Sequence, residues 1–481
     1  MNRHFGSATH EYSDGIPTRA YARVDSVDEG DDGQIIIGLD AVSTRSADSL
    51  LERLPADEWT DAWAGVLRGG RDVDWGDLLE MFDGLELYQI EVSTSPRRAA
   101  ELLQARDPSD PAGGWLLLAM SPDRGDGLPA TVFPGLFAPG QPASVVETGA
   151  PPPPTQSMLA AAFSMRSWPI ASDHDLEREL RKGKASTWAA YDVGQGSANG
   201  LLDQVGRVHL LHDIGCGVYS NAKTRPRDLV LCSSVEAPIV LSHWDTDHWG
   251  GARYFAPKSD QDAFLRRSWI VPLDLTIGPR HMAFAASILA AGGRLYVMAA
   301  GPWQSKWVTM LDGRNIRLLR GDGKDRNGSG MAMEIHDVRN SGGRWLLTGD
   351  VDYQFLQAHL APKYVAISVP HHGAKSASTG RIPSPSPNYS RLVYSFGHDN
   401  TFGHPKSACM SAHMVAGWDH GYWMPKLDAT VVAKGEVVAT ACNRPGPSHL
   451  ESISIGWTSP PPAPCAPGCK WVQCNASVGQ N

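Results

Sequence analysis

Short apolar runs separated by polar or glycine-bearing loops dominate the chain after Lys184. Trp188 to Val193, Val208 to Ile214, Ile239 to Ser242, Trp345 to Thr348, Tyr364 to Val369 and Leu392 to Phe396 hold four to seven residues each. Apolar runs of that length predict buried strands. Nearly every one leads into a loop bearing His, Asp or Gly. Functional groups on loops at strand ends are what a layered α/β scaffold offers. Before Lys184, Gln34 to Leu39 and Trp115 to Met120 predict strands, while Ser49 to Arg53 and Trp75 to Phe82 predict helices. Asp173 to Lys184 predicts a charged helix, and Arg181, Lys182 and Lys184 near its end read as a solvated face rather than a phosphate-binding patch.

These patterns divide the chain. An N-terminal α+β module is expected over 1–137, followed by a Pro/Gly-rich linker over 138–156 that includes Pro151-Pro152-Pro153-Pro154. A connecting helical segment follows over 157–184, then a main domain over 185–457 and a Pro- and Cys-containing tail over 458–481. The length of 481 residues agrees with two or three domains. The first module carries no catalytic constellation, so its expected role is specificity, regulation or docking of a protein partner.

Composition narrows the function classes. Hydrophobic residues make up 42% and charged residues 20%, which is a globular balance. The net charge of −9 disfavours tight binding of duplex nucleic acid by a broad basic surface. A nuclease stays open, because a bound metal supplies local positive charge. Met1 to Asp14 lacks the apolar stretch of a secretory signal, and the most apolar region, Met282 to Gly301, is broken by Gly292, Gly293 and Arg294. A cytoplasmic protein without a membrane partner is expected. Seven cysteines argue against a disulfide framework. Cys465, Cys469 and Cys474 read as free thiols of a Pro-rich tail, with a small zinc clip as the sharper alternative.

The densest chemistry lies in Ser242-His243-Trp244-Asp245-Thr246-Asp247-His248-Trp249-Gly250-Gly251, entered from the apolar run that begins at Ile239. Two imidazoles and two carboxylates fall within six residues. Such groups are costly to bury unpaired, and neighbouring carboxylates repel. A divalent cation removes both problems.

This segment resembles the signature loop of the metallo-β-lactamase fold, His-x-His-x-Asp-His, with Asp245 where the second His would stand. The substituted form resembles the hydrolase domain of the ComEC competence-protein family, whose members contribute to DNA uptake. Further motifs resemble that domain in its own order. They are Tyr191-Asp192-Val193-Gly194-Gln195-Gly196, Leu211-His212-Asp213-Ile214-Gly215-Cys216-Gly217, Asn327-Gly328-Ser329 with Leu346-Leu347-Thr348-Gly349-Asp350, Val369-Pro370-His371-His372-Gly373-Ala374-Lys375-Ser376, and Ser395-Phe396-Gly397-His398-Asp399-Asn400-Thr401-Phe402-Gly403-His404-Pro405, with Phe402 where the family has Tyr. The resemblance covers about Ala185 to Ile455. It implies an α/β fold of the metallo-β-lactamase-like αββα sandwich type, beside the separate N-terminal module.

The resemblance also implies roles. Asp247 and His248 would bind one metal, Asp350 would bridge to it, and one of His371 and His372 would close the shell, with His372 favoured. His243 and Asp245 fall at positions for another metal. No third ligand for that ion is evident, since His281 and His336 lie outside the family motifs. Asp192 would orient the metal loop from behind. His404 would be a ligand or a proton donor to the leaving group, Lys375 would contact a phosphate, and His398 and His212 would stay outside the ligand set. Gly194 and Gly196 read as turn geometry. One or two ions are expected, zinc or manganese, with magnesium as a third option because a carboxylate in place of imidazole hardens the site.

The activity implied is that of a stand-alone metallohydrolase, a phosphodiesterase or nuclease using a metal-bound hydroxide, in which Asp247 or Asp350 orients the water. Its substrate would be a phosphodiester, nucleic acid included. Hydrolysis of a small phosphoester, lactone or amide is the alternative. A metal-stabilised protein-interaction module is the alternative of another class.

Overall fold

Alternation with period two governs the strands of the main region, and both of their faces are apolar. On Asn315–Arg320, Leu318 faces one core and Leu319 another. On Arg344–Leu347, Trp345 and Leu347 face the first core and Leu346 the second. Strands buried on both sides read as continuous apolar runs. The computed structural model describes residues 2–6, 15–30, 33–53, 55–68, 75–104, 114–122, 125, 127–226, 229–233, 235–299, 301, 303–339, 342–419, 436–440 and 452–458. It is a mixed α/β structure of two compact units. One comprises Met1–Pro169 with Leu273–Leu295, and the other Ile170–Pro272 with Tyr296–Asn481.

The first unit contains a closed barrel. Its strands run around the wall as Arg19–Glu29, Ile35–Ser43, Leu87–Thr94, Leu128–Phe133, Gln141–Gly149 and Leu116–Ser121, which pairs back to the first. Ile37, Leu39, Ile90, Val92, Leu116, Leu118 and Val132 fill its core.

Three boundaries differ from expectation. The segment 138–156, read as a linker, holds the barrel strand Gln141–Gly149 and the start of helix Pro153–Ala162. Proline density misleads here for a local reason. Pro142 sits beside the strand's first residue, and Pro153 opens the helix, where a missing N–H costs nothing. The connecting segment 157–184 is divided, because the change of unit falls between Pro169 and Ile170. The expected continuous domain 185–457 is interrupted as well, since Leu273–Leu295 belongs to the first unit. Its helix Pro279–Ala290 is buried from Pro279 to Ile288, which explains an apolar run that is neither strand nor membrane span. Arg280 on that helix is buried and bonds Asp40 at 2.9 Å and Asp25 at 2.7 Å, so its charge is paired within the unit.

Among the described residues the second unit has two large sheets and a small one that pairs Lys363–Tyr364 with Ser384–Pro385. One runs, edge to edge, Arg294–Met298, Ser268–Pro272, Ile239–Val240, Val208–Ile214, Ala198–Leu202, Thr187–Tyr191 and Ser452–Ile455. The other runs Trp303–Gln304, Asn315–Arg320, Met331–His336, Arg344–Leu347, Ala366–Ser368, Arg391–Tyr394 and Glu436–Ala439, with Val308–Thr309 also paired to Asn315–Arg320. Trp188, Leu201, Leu210, Val240 and Ile270 of the first sheet share one core with Leu318, Met333, Trp345, Leu347 and Val393 of the second. The outer face of the second sheet packs Leu346, Ile367 and Leu392 against Tyr353, Leu356 and Cys409.

Strand direction positions the site. Ile239–Val240 is parallel to both Val208–Ile214 and Ser268–Pro272. Arg344–Leu347, Ala366–Ser368 and Arg391–Tyr394 are mutually parallel neighbours. Loops that follow parallel neighbours leave a sheet at the same end, where α/β proteins place their ligands. Among the described residues no helix is long and apolar enough to cross a membrane. Cys465, Cys469 and Cys474, like nearly all of the 458–481 tail, lie outside the described residues.

Candidate metal centre

The loop after Ile239–Val240 is held from behind. Ser242 donates its backbone N–H to Asp213 Oδ1 at 2.7 Å and its hydroxyl to Asp213 Oδ2 at 2.9 Å. Trp244 and Trp249 are fully buried, and their indole N–H groups bond the Pro272 and Trp244 carbonyls at 2.9 and 2.7 Å. The Asp247 carbonyl accepts from Ser197 N at 3.1 Å. A β-carbon at Gly215 would overlap that carbonyl, so only glycine lets the two loops touch.

Three parallel-strand ends deliver the other groups. Gly349 and Asp350 follow Arg344–Leu347. Gly349 has φ +55°, and a side chain there would collide with Ser242. His371 and His372 follow Ala366–Ser368, with φ of 48° and 53°. Left-handed backbone at two successive non-glycine residues costs on the order of 1–3 kcal/mol each, and such strain clusters at functional sites. After Arg391–Tyr394, the Ser395 carbonyl accepts from His372 Nδ1 at 2.7 Å.

Each of the three innermost histidines therefore has one nitrogen occupied by the protein. His248 Nδ1–H donates to Asp213 Oδ2 at 2.8 Å, His372 Nδ1–H to Ser395, and His243 Nδ1 lies 3.0 Å from Ser242 Oγ. Their Nε2 atoms are buried without a hydrogen-bond partner. All three face carboxylates. His248 Nε2 is 3.1 Å from Asp350 Oδ1, His372 Nε2 is 3.2 Å from Asp247 Oδ2, and His243 Nε2 is 3.7 Å from Asp350 Oδ2. Ligand atoms about 2.1 Å from a tetrahedral ion lie about 3.4 Å apart, so these separations suit a metal. Two overlapping groups have the required proximity: His243, His248 and Asp350, and Asp247, His248 and His372. Buried His and Asp side chains here could hold a metal ion, and a fixed Nδ1–H that leaves the Nε2 lone pair inward is how proteins prepare histidine ligands.

The electrostatics agree. Burial alone would lower the pKa of His248, but Asp350, Asp213 and Asp247 raise it well above the ordinary value. His372 is raised against burial by Asp350 and Asp247. Burial would raise Asp350, yet His248, His372, His371 and His243 hold it well below the carboxylate range. The pocket is built for positive charge, and protons on histidine answer that demand when nothing else does.

The remaining expected residues are placed less centrally. Asp245 is bonded by Arg326 Nη1 at 2.7 Å and belongs to neither group. His371 is half-buried, with Nε2 3.8 Å from Asp350 Oδ2. The His404 ring is 5.7 Å from the His371 ring and 6.5 Å from the His372 ring, outside both groups. Burial, then His371 and His372, push its pKa well below the ordinary value. A histidine kept neutral is a poor proton donor to a leaving group. Asp192 is buried and accepts from Gly194 N at 3.3 Å, shaping its own turn. Lys375 is exposed on the turn Lys375–Ser378. His398 pairs with Asp399 at 3.0 Å, and His212 is buried with Nε2 3.4 Å from the Met331 carbonyl. His281 is in the first unit, 2.9 Å from Asp40, and His336 ends strand Met331–His336.

Sequence reasoning missed three residues. Asp213 orients the loop and the His248 ring, through Ser242 and His248 Nδ1. Arg326 pairs with Asp245 across 81 positions, and no local pattern announces it. Asp352, two residues beyond Asp350, has a buried carboxyl that burial pushes up to about 6 despite His371. The pattern Thr348-Gly349-Asp350-Val351-Asp352 was its available signal. No protein-family model matches the chain, and no curated protein matches it.

Proposed function

We propose that the second unit is a metal-dependent hydrolase of metallo-β-lactamase type that cleaves phosphodiesters, nucleic acid included. The observation that carries this reading is the set of buried Nε2 atoms of His243, His248 and His372 that make no hydrogen bond and converge on carboxylates around Asp350. When bound, a divalent ion supplies Lewis acidity that makes water nucleophilic near neutral pH and polarises a phosphoryl oxygen. His248, His372 and Asp350 would hold it, with Asp247 beside them. Asp247 is the most open of these groups, its side chain 23% exposed, which supports assigning its carboxylate to orienting a water and accepting its proton. Asp213 and Ser395 fix the tautomers of His248 and His372. The carboxylate-rich lining favours manganese or magnesium beside zinc. The order of motifs along the chain, which resembles the ComEC hydrolase domain, supports the choice of phosphodiester.

The test is metal-stripped full-length protein reloaded with Mn²⁺, Mg²⁺ or Zn²⁺, assayed on bis-p-nitrophenyl phosphate, single-stranded DNA and RNA. Phosphodiester turnover that is lost in Asp247→Ala is expected. Absence of turnover on all three with metal bound would refute the phosphodiesterase. The net charge of −9 favours a small substrate over a polymer, and turnover confined to a small phosphoester, lactone or amide would establish that second reading.

A further inference from the structure

The carboxylate of Asp245 is divided between two partners. Its Oδ1 accepts from Arg326 Nη1 at 2.7 Å, and its Oδ2 lies 3.3 Å from His243 Nε2. Arg326 is buried, only 8% exposed. The other groups close a ring among themselves. His248 to Asp350 is 3.1 Å, Asp350 to His372 is 3.8 Å, His372 to Asp247 is 3.2 Å and Asp247 to His248 is 4.0 Å. Asp245 and His371 stand outside every group of described residues with ligand spacing.

We infer that Arg326 is a built-in cation in place of a second metal: the centre takes one divalent ion, in the ring of Asp247, His248, Asp350 and His372, while the guanidinium neutralises Asp245 on the His243 side. The inference rests on the metal-centre reading proposed above. A guanidinium stays charged at any pH a protein survives. A second ion drawn to Asp245 would meet that fixed charge and would have to displace a charge-assisted hydrogen bond. Asp245 thus differs from Asp247 and Asp350, which among the described residues face only histidines within ion-pair distance. In this arrangement Arg326 sets how many ions the centre accepts.

Counting ions tests it, with Mn²⁺ and Zn²⁺ as the probes. Full-length protein is titrated calorimetrically and its metal content measured by elemental analysis after equilibrium dialysis. Wild type should bind one ion. Asp245→Asn should also bind one, with affinity changed by less than about tenfold, below what removing even a residue that orients a metal ligand brings. Arg326→Lys should bind one, and Arg326→Gln, which frees the Asp245 carboxylate, should gain a second. Two ions in wild type, loss of the ion in Asp245→Asn, or a folded Arg326→Gln that still binds one would overturn the inference. If Arg326→Gln does not fold, wild type and Asp245→Asn decide. Protein that binds no ion in any form would instead remove the metal-centre reading itself.

Discussion

Asp350→Ala is expected to abolish metal binding. Asp350 is buried, and its two oxygens face different histidines: Oδ1 lies 3.1 Å from His248 Nε2, and Oδ2 lies 3.7 Å from His243 Nε2. It is the negative charge on which the cluster converges. Residues that merely orient metal ligands are worth 10- to 100-fold in affinity, so removing this one should weaken Mn²⁺ or Zn²⁺ binding by more than about 100-fold. Turnover should fall with it. Asp350→Asn keeps the shape and removes the charge, and should lose binding to a similar degree. Calorimetric titration measures both. The metal-free fold should persist, because His248 and His372 can shed the protons that Asp350 helps them hold. Near-wild-type affinity in either variant would show that the cluster is an internal ion-pair network.

Asp213→Asn is expected to cost about 10- to 100-fold in metal affinity without touching any ligand. Asp213 Oδ1 accepts from Ser242 N, and Oδ2 accepts from Ser242 Oγ and from His248 Nδ1. In the amide, oxygen satisfies the Ser242 backbone N–H and the NH₂ group turns toward His248. A donor there requires His248 Nδ1 to accept, which moves the ring proton to Nε2. That nitrogen then presents a hydrogen where the ion needs a lone pair. The charge that raises the His248 pKa is lost as well. Unchanged affinity in Asp213→Asn would show that Asp213 does not set the His248 tautomer.

Why Asp213 escaped sequence reasoning is a matter of register. Leu211 lies beside Ile239 and His212 beside Val240 in the parallel pair, so Asp213 comes level with the start of the metal loop. That alignment depends on two strands 25 or more positions apart, and no periodicity within either one encodes it. Arg326 and Asp245 pose the same problem at greater range. By contrast, the loop from His243 to His248 was legible because its ligands are consecutive. Val208–Ile214 was legible because all seven of its residues are buried, and its apolar positions show it. Tyr364 to Val369, read as one strand, is two short ones, Lys363–Tyr364 and Ala366–Ser368, paired into different sheets.

The first unit was less legible. Arg19–Glu29 alternates weakly, carries charge at both ends and changes register between Val24 and Ser26, so no clean period survives. Closing a barrel also tolerates a proline near a strand end, and the 138–156 segment used that freedom. Helix Pro279–Ala290 returns to this unit because its Arg280 pairs with Asp40 and Asp25, partners that lie some 240 to 255 positions away. Such partners are set by the tertiary structure alone.

The central claim is that His248, His372 and Asp350 surround a metal ion. Crystals soaked in Mn²⁺ or Zn²⁺, with anomalous difference maps recorded at the metal's absorption edge, test it most directly. The account predicts a peak about 2.0 to 2.2 Å from His248 Nε2, His372 Nε2 and an Asp350 oxygen. A map with no peak among these residues at saturating metal would contradict it.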